Sequence, residues 1–403
     1  MRLAASLGGA VLSVAFAFGQ IPTPPPPSFQ FSSHGSAQCI PIEVVADGLV
    51  FVNGTMNGNS GWFIVDNGTQ GFVVDGDFAR HNSLRPTDSA TTREVGSNAS
   101  QAQIVRDVQI GLPGLELIHR NLLIIDLKPL EPVVGHEVNG IIGSRLFDDF
   151  VVVLDYAGHC LSVYSPRQYR PSGKETVRPV RIDQHGFQYI DATITLLGVA
   201  PVSGSFLLDA GANYYANLYK PFSDAHQIPP PTMKLLSDPG TDQPRDGRAE
   251  RIDIGPFSLK HPPITFAQDV EGLMASKDYA GLIGAEFLER FTVVFDSPGK
   301  RILLTPNKTY TDAAEYDQSG LRIHADGPEF RRFVVTRIVP QSPAAEAGIE
   351  AGDVIESLSN LSAQNLTLTE LRKMLRRPEA RYSISIERGN KQLRIAIRLR
   401  PLL

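Results

Sequence analysis

One block of the sequence occurs twice, about 141 residues apart. The segment Gly140–Pro166 aligns with Gly281–Pro306, and both copies share glycines, apolar residues and an aspartate in register. An upstream pair of segments, 63–69 (FIVDNGT) and 206–212 (FLLDAGA), aligns at an offset of 143. Landmarks that recur in the same order at nearly constant spacing indicate a duplicated structural unit. We therefore expect two related lobes.

Both repeats have the pattern of β-structure. Short β-prone runs such as Leu49–Val52 and Trp62–Val65 are separated by the Asn- and Gly-rich turn NGTMNGNSG, and 189–195 with 205–208 repeat this arrangement. The 35 Gly and 30 Pro among 403 residues agree with many turns. The length suits two or three domains, and the composition predicts a mainly β chain.

Charge and composition exclude several classes of function. The formal net charge of −5 does not fit a globally basic nucleic-acid-binding protein. Two cysteines cannot supply a four-thiolate zinc site, and neither an H-E-x-x-H nor a C-x-x-C motif occurs. We therefore expect no metal, no cofactor and no nucleic-acid partner.

The first residues resemble a secretion signal. Arg2 precedes the apolar run Leu3–Phe18, and small residues follow at positions suited to cleavage. We predict a signal peptide over residues 1–19 and a Pro-rich linker over 20–38, with an uncleaved N-terminal anchor as the alternative. No later apolar segment reaches spanning length. The mature chain is expected to be exported, either periplasmic or secreted, with no membrane span.

Cys39 and Cys160 are the two cysteines of the chain. An exported protein meets an oxidising environment, in which a disulfide between them can form. The alternative is two separate buried thiols.

Each of the aligned upstream segments contains a D-x-G turn after an apolar strand. Asp66 begins the first turn and Asp209 the second, and each has an apolar-apolar-Gly element downstream, at 141–143 and 282–284. A single D-x-G is an ordinary turn. In a molecule with a pseudo-twofold axis, however, equivalent residues near the axis face each other. The duplication therefore predicts that Asp66 and Asp209 share one site.

These motifs resemble those of the pepsin/retropepsin-like aspartic peptidases, in particular the two-lobed bacterial members. The resemblance covers roughly residues 40–308 and implies a duplicated two-lobed acid-protease β-barrel fold, with lobe 1 over 39–170 and lobe 2 over 178–308. In that family two aspartates hold one water and share one proton. The resemblance thus assigns catalysis to Asp66 and Asp209, with protein or peptide substrates. The supporting turn residues are Asn67, Gly68, Thr69, Ala210, Gly211 and Ala212.

The turns depart from the family pattern, which usually has Thr or Ser directly after each Asp. Here Asn67 can form hydrogen bonds, but the side chain of Ala210 cannot. Thr69 has a hydroxyl that can bond the Asp66 carboxyl, and Ala212 has none. The sequence therefore leaves two functions open: an active aspartic endopeptidase, or a catalytically weak or inactive protease fold that binds peptides.

The resemblance also implies flaps over the cleft. The candidate segments are Thr91–Ser100 and Ser237–Gly247, which are polar and contain glycine. Plain surface loops are the alternative interpretation.

From residue 318 a different pattern begins. The string S-P-A-A-E-A-G-I-E-A-G-D-V-I (342–355) predicts a capped helix followed by a strand, and residues 367–377 have the periodicity of an amphipathic helix. Residues 318–403 resemble a PDZ domain of the kind appended to bacterial proteases, an α+β module. The resemblance implies a groove for C-terminal or extended peptides. Its walls would be Gly320, Leu321, Arg322 and Ile323 on one side, with Leu368 and Leu371 on the other. A rigid cap on the lobes is the alternative role.

Overall fold

A computed structural model describes residues 28–33, 35–45, 47–92, 100–237 and 244–403. The predicted signal peptide (1–19) and linker residues 20–27 lie outside this range. In the part of the chain that is described, no helix combines the length and the apolar character needed to cross a membrane. The described chain is mainly β, as the sequence predicts.

Lobe 1 begins earlier than the sequence suggested. Its elements are β1 (Ser28–Phe31), β2 (Ser36–Val45), β3 (Leu49–Met56), β4 (Asn59–Val65), β5 (Phe72–Asp75), α1 (Gly76–His81), β6 (Asp88–Thr92), β7 (Ser100–Leu112), β8 (Leu115–Ile125), α2 (Glu131–Val134), β9 (Gly140–Ile142), α3 (Ser144–Asp149), β10 (Val151–Asp155) and β11 (Cys160–Tyr164). A single 3₁₀ turn, Lys128–Leu130, precedes α2.

The prediction of a linker extending to residue 38 is therefore wrong at its C-terminal end. Strand β1 pairs with β8, and residues 36–38 already belong to β2. The physical reason is the alternating sequence SFQF, in which Phe29 and Phe31 both pack on Phe150 with ring centroids 4.8 and 5.6 Å away. This period-2 pattern is typical of a strand.

Lobe 2 repeats the same order. Its elements are β12 (Thr176–Pro179), β13 (Arg181–Ile182), β14 (Gln188–Thr195), β15 (Val202–Asp209), β16 (Ala216–Leu218), α4 (Lys220–Ala225), β17 (Leu236–Ser237), β18 (Arg245–Arg248), β19 (Arg251–Ile254), β20 (Phe257–Lys260), β21 (Pro263–Phe266), β22 (Gly281–Gly284), α5 (Ala285–Leu288), β23 (Phe291–Asp296) and β24 (Arg301–Pro306). A 3₁₀ turn spans Leu273–Ala275.

The strand pairings of the two lobes correspond. In lobe 1, β9 pairs parallel with β4 and antiparallel with β5, whereas in lobe 2, β22 pairs parallel with β15 and antiparallel with β16. The apolar-apolar-Gly elements therefore lie beside the strands that lead into the D-x-G turns. The duplication seen in the sequence is a duplication of sheet topology.

A shared sheet joins the lobes, with strand order β12-β24-β23-β10-β11-β2. At its centre β10 pairs antiparallel with β23, and Val153 lies opposite Val294. These two valines occupy the same position of the repeat, so the pseudo-twofold axis passes between them. Both strands are rich in β-branched apolar residues, which suit a strand buried in a sheet.

The C-terminal module has its own strands and core. Its elements are β25 (Leu321–Asp326), β26 (Arg332–Ile338), α6 (Pro343–Glu346), β27 (Val354–Leu358), β28 (Leu361–Ser362), α7 (Leu368–Leu375), β29 (Arg381–Arg388) and β30 (Lys391–Arg398), with a 3₁₀ turn at Ala363–Asn365. Ser342 caps α6, and Thr367 with Glu370 forms a capping box on α7. Strand β25 is at the edge of this sheet.

Cys39 and Cys160 are joined by a disulfide, and their Cα atoms are 4.5 Å apart. Cys39 lies in β2 and Cys160 begins β11, and these strands are neighbours in the shared sheet. The bond therefore ties the start of lobe 1 to its end.

Removal of the disulfide should destabilise the protein. Because the bond closes a loop with a sequence separation of 121, the double variant Cys39→Ser/Cys160→Ser is expected to lose about 2–4 kcal/mol in free energy of unfolding. Denaturant unfolding of the oxidised wild type and the variant measures the difference, and reduced wild type is the matched control. Equal midpoints and slopes for all three samples would contradict the prediction.

Candidate functional site

Asp66 follows directly after β4 and is held by its own turn. Its backbone N–H donates to the carbonyl of Ile142 in β9 (3.0 Å). The carboxyl accepts from the Gly68 N–H at 2.7 Å and from the Thr69 hydroxyl at 2.6 Å. The turn thus fixes both carboxyl oxygens.

Asp209 is the last residue of β15 and lies opposite Gly284 of β22. Its Oδ1 accepts from the Gly211 N–H at 2.9 Å, the counterpart of the bond from Gly68. The Asp209 side chain also interacts with the Asp66 carboxyl. The structure therefore brings together the two aspartates that the sequence paired.

The two turn glycines allow this close approach. A Cβ on Gly68 would lie 2.6 Å from the Asp209 carboxyl atoms, and a Cβ on Gly211 would lie even closer to the Asp66 carboxyl. Each aspartate thus packs against the glycine of the other lobe. This gives a steric reason for glycine as the third residue of both D-x-G turns.

Asn67 links the two turns across the pseudo-twofold axis. Its Nδ2 donates to the Leu208 carbonyl at 2.7 Å, and its Oδ1 accepts from the Ala210 N–H at 2.8 Å. Ala210 contributes only backbone to this link, and its side chain is buried, like that of Ala212. The Asn67 side-chain amide therefore joins the two turns, although neither Asn67 nor Ala210 has a hydroxyl.

The paired carboxyls are almost inaccessible to solvent, with Asp66 2% and Asp209 0% exposed. Burial raises the pKa of Asp66, while the hydrogen bonds from Thr69, Gly68 and Asp209 oppose that rise. Two carboxylates in contact within a buried site cannot both be charged without a large cost. The arrangement is therefore able to hold one proton between two acids.

The other repeated aspartates have a different role. Asp155 accepts from the Gly158 N–H at 3.0 Å, and Asp296 accepts from the Gly299 N–H at 2.9 Å. Both stabilise turns. Across the described ranges, no group of three or more His, Cys, Asp or Glu residues is placed to hold a metal ion.

The predicted flap segments fall within hairpins. Strands β6 and β7 pair antiparallel on either side of residues 93–99, and β17 and β18 do so on either side of 238–243. Residues 93–99 and 238–243 themselves lie outside the described residues.

The predicted peptide groove of the C-terminal module is turned towards the lobes. Leu321, Ile323, Leu368 and Leu371 are buried in the module core. Arg322 donates to the Tyr316 hydroxyl at 3.1 Å and lies 3.8 Å from Asp246 of β18 in lobe 2. The Gly320 N–H donates to Asp317 at 2.7 Å.

Sequence reasoning missed a charged cluster at the junction of all three units. Arg376, at the end of α7, lies 2.7 Å from Asp47 of lobe 1 and 3.7 Å from Glu286 of lobe 2. Burial opposes the charge of Arg376, but the carboxylates of Asp47 and Glu286 outweigh it and raise its pKa. No motif or spacing marks these residues, because the contacts join unrelated parts of the chain.

A cavity of about 150 Å³ adjoins this cluster. It is lined from lobe 1 by Asp47 and Val133, from lobe 2 by Asn213 and Tyr214, and from the module by Leu321. Asn213 and Tyr214 directly follow the turn that begins at Asp209. Residues of both lobes and of the C-terminal module therefore meet around this cavity.

Comparison with known families identifies one part of the chain. The family model described as a PDZ domain matches residues 334–388. The prediction of a PDZ domain is therefore confirmed for this region, and PDZ domains typically bind peptides. The search of curated proteins finds no match for the chain.

Replacement of Asn67 should weaken the junction between the turns. Asn67→Ala leaves the buried Leu208 carbonyl and Ala210 N–H without their partner, so the free energy of unfolding should fall by about 1–3 kcal/mol. The control is Asn53→Ala, because Asn53 is an exposed asparagine of the same lobe. Denaturant unfolding of both variants tests the prediction. An Asn67 variant as stable as the Asn53 variant would show that the link contributes nothing.

Proposed function

We propose that this chain is an exported aspartic endopeptidase with a PDZ domain for substrate or partner recognition. The observation that carries the proposal is the close approach of the buried carboxyls of Asp66 and Asp209, one from each repeat, each packed against the turn glycine of the other lobe. An isolated pair of buried acids is costly, and a shared proton between two acids is the device with which aspartic peptidases activate water.

The hydrogen bonds of the pair favour one distribution of roles. Asp66 accepts from the Gly68 N–H and the Thr69 hydroxyl, and both hydrogen bonds favour its charged form. We therefore assign the carboxylate and general base to Asp66, and the shared proton to Asp209.

These roles support a complete hydrolytic cycle. Asp66 removes a proton from a water held between the carboxyls, and the resulting hydroxide attacks the carbonyl carbon of the substrate. Asp209 gives its proton to the carbonyl oxygen, so that a neutral tetrahedral diol forms. Collapse of the diol breaks the C–N bond as the proton on Asp66 passes to the leaving nitrogen. The diol proton returns to Asp209, which restores the starting state.

Two further features agree with an exported enzyme. The disulfide between Cys39 and Cys160 is of the kind that persists in oxidising compartments. The predicted signal peptide at residues 1–19 would direct the chain there. A PDZ domain adds a surface that recognises peptides, which suits a protein whose substrates are polypeptides.

The decisive variants are Asp66→Asn and Asp209→Asn. Each removes one carboxyl of the pair, so we expect cleavage of an unfolded protein substrate to fall by at least about 10³-fold while the fold is retained. Asp155→Asn is the matched control, because Asp155 is an aspartate of the same repeat that stabilises a turn. Single-turnover and steady-state cleavage assays across pH measure the loss. A pepstatin-type inhibitor should block the wild type.

A second candidate function has its own support. Ala210 and Ala212 supply no hydroxyl to the lobe 2 turn, so the chain could instead be a catalytically weak or inactive protease fold that binds peptides. Wild-type protein that cleaves no unfolded substrate at any pH, yet binds the pepstatin-type inhibitor, would favour this function. Folded Asp66 or Asp209 variants with wild-type turnover would exclude the aspartic mechanism.

The pH profile tests the assignment of the base. The Thr69 hydroxyl stabilises the Asp66 carboxylate and lowers its pKa, so Thr69→Val should raise that pKa. Activity requires ionised Asp66, and the acid limb of kcat/KM should therefore move to higher pH. Thr292→Val is the control, because it removes a similar Thr–Asp hydrogen bond, to Asp155, outside the pair. An acid limb that is the same in both variants and the wild type would contradict the assignment.

A further inference from the structure

Lobe 1 contacts the predicted peptide groove of the PDZ domain. Gly135 ends α2 with a φ of +70°, and it lies between the two walls of the groove. A Cβ built on Gly135 would lie 2.8 Å from the Leu368 Cβ of α7 and 3.5 Å from the Ala325 Cβ of β25. We call residues Glu131–Gly135 the lobe 1 turn. It fills the space in which a peptide would lie beside the edge strand β25.

The loop that would capture a peptide carboxylate is occupied as well. The Asp317 carboxylate accepts from the Gly320 N–H at 2.7 Å, the Ser319 N–H at 3.3 Å and the Ser319 hydroxyl at 2.6 Å. The Leu321 N–H in turn donates to the Ser319 hydroxyl oxygen at 3.0 Å. Successive backbone N–H groups of this kind form the nests that bind terminal carboxylates. Here an internal carboxylate takes that place.

One half-buried arginine connects the predicted groove to the lobe 1 turn. Arg372 of α7 donates from Nη2 to the Val133 carbonyl of the lobe 1 turn at 2.9 Å and to the Ile323 carbonyl of β25 at 3.1 Å. A carbonyl of the edge strand and a carbonyl of lobe 1 thus share one cationic donor. Hydrogen bonds to charged groups are stronger than neutral ones, so this bridge favours the closed arrangement.

The same helix reaches the seam between the lobes. Arg376, one turn after Arg372, pairs with Asp47 of lobe 1 and lies near Glu286 of lobe 2. Tyr316, just before the PDZ domain, donates to Asp246 of β18 at 2.7 Å. Strand β18 forms one side of the hairpin that contains the second predicted flap. The domain is therefore attached at both lobes and at the base of that hairpin.

We propose that the lobe 1 turn is the resting ligand of the PDZ groove, and that this contact is a latch closing one end of the interlobe cleft to long polypeptides. The closed end is the cavity between Asp47, Asn213 and Leu321. Release of the turn from the groove removes one attachment of the domain to lobe 1, leaves the Arg376–Asp47 pair as the other, and lets this end open. The effect on access rests on the proposed peptidase function, whereas the docking of the turn in the groove does not.

The first test measures docking in the full chain by hydrogen exchange. Gly135→Ala adds a methyl group that collides with Leu368 in a backbone conformation that favours glycine. Gly58→Ala is the matched control, because Gly58 also belongs to lobe 1 and has a φ of +83°, but nothing lies within 4 Å of its added Cβ. We expect amide exchange in β25 and the lobe 1 turn to accelerate about tenfold or more in Gly135→Ala only. Exchange in β10 and β29 should not change.

A second variant provides the test if Gly135→Ala does not fold. Arg372→Met keeps the length of the side chain and removes the donor to Val133 and Ile323. It should produce the same regional acceleration. If both variants exchange like Gly58→Ala in β25 and the lobe 1 turn, the latch is wrong.

The second test measures access by cleavage. In Gly135→Ala and Arg372→Met, kcat/KM for an unfolded protein of more than about 50 residues should rise several-fold relative to Gly58→Ala. For a peptide of about six residues kcat/KM should stay the same, because only the long chain must pass the covered end. Equal changes for both substrates would overturn the access step, even if docking is lost. No cleavage by any chain, including the wild type, would overturn the peptidase proposal, and the exchange experiment would still decide whether the turn occupies the groove.

Discussion

Two carboxyl groups that are buried in contact with each other cannot both be charged, and the architecture of this chain keeps Asp66 and Asp209 in that situation. Neither repeat could create the pair alone, since each contributes one acid. The antiparallel pairing of β10 with β23, centred on Val153 and Val294, aligns the repeats about an axis. The parallel pairings of β4 with β9 and of β15 with β22 then carry both aspartates to that axis. The closeness of the acids is a consequence of sheet pairing both at the β10–β23 junction and directly beside the turns.

The turns add asymmetry to this symmetric frame. Asn67 forms two hydrogen bonds across the axis, and Ala210 takes part only through its backbone N–H. Thr69 donates to Asp66, and Ala212 offers Asp209 no such donor. The two turns therefore surround their acids with different side chains. This difference is the physical basis for proposing Asp66 as the base and Asp209 as the holder of the shared proton. The assignment can be tested through the pH dependence of kcat/KM.

Local and repeated features were predictable from the sequence, whereas contacts between unlike units were not. The duplication, the facing aspartates, the capped helices of the C-terminal module and the β-rich lobes all follow from periodicity, turn residues and repeat spacing. Strand β1 is not predicted, because its alternating sequence SFQF directly follows four prolines and so falls within the predicted linker. The contact of Gly135 with Leu368 and the charges around Arg376 had no signal in the sequence, because such contacts join residues far apart in the chain without a shared pattern.

The central claim is that Asp66 and Asp209 share one proton, and carboxyl ¹³C NMR of protein labelled at the Asp side chains tests it most directly. The Asp66→Asn and Asp209→Asn variants assign the two resonances. If the pair shares a proton, its titration should show two coupled steps. One step should have a pKa well above the usual Asp value of about 4, and the resonances of both residues should respond to each step. Two independent titrations with pKa values near about 4, each missing only in the variant that lacks that aspartate, would contradict a shared proton.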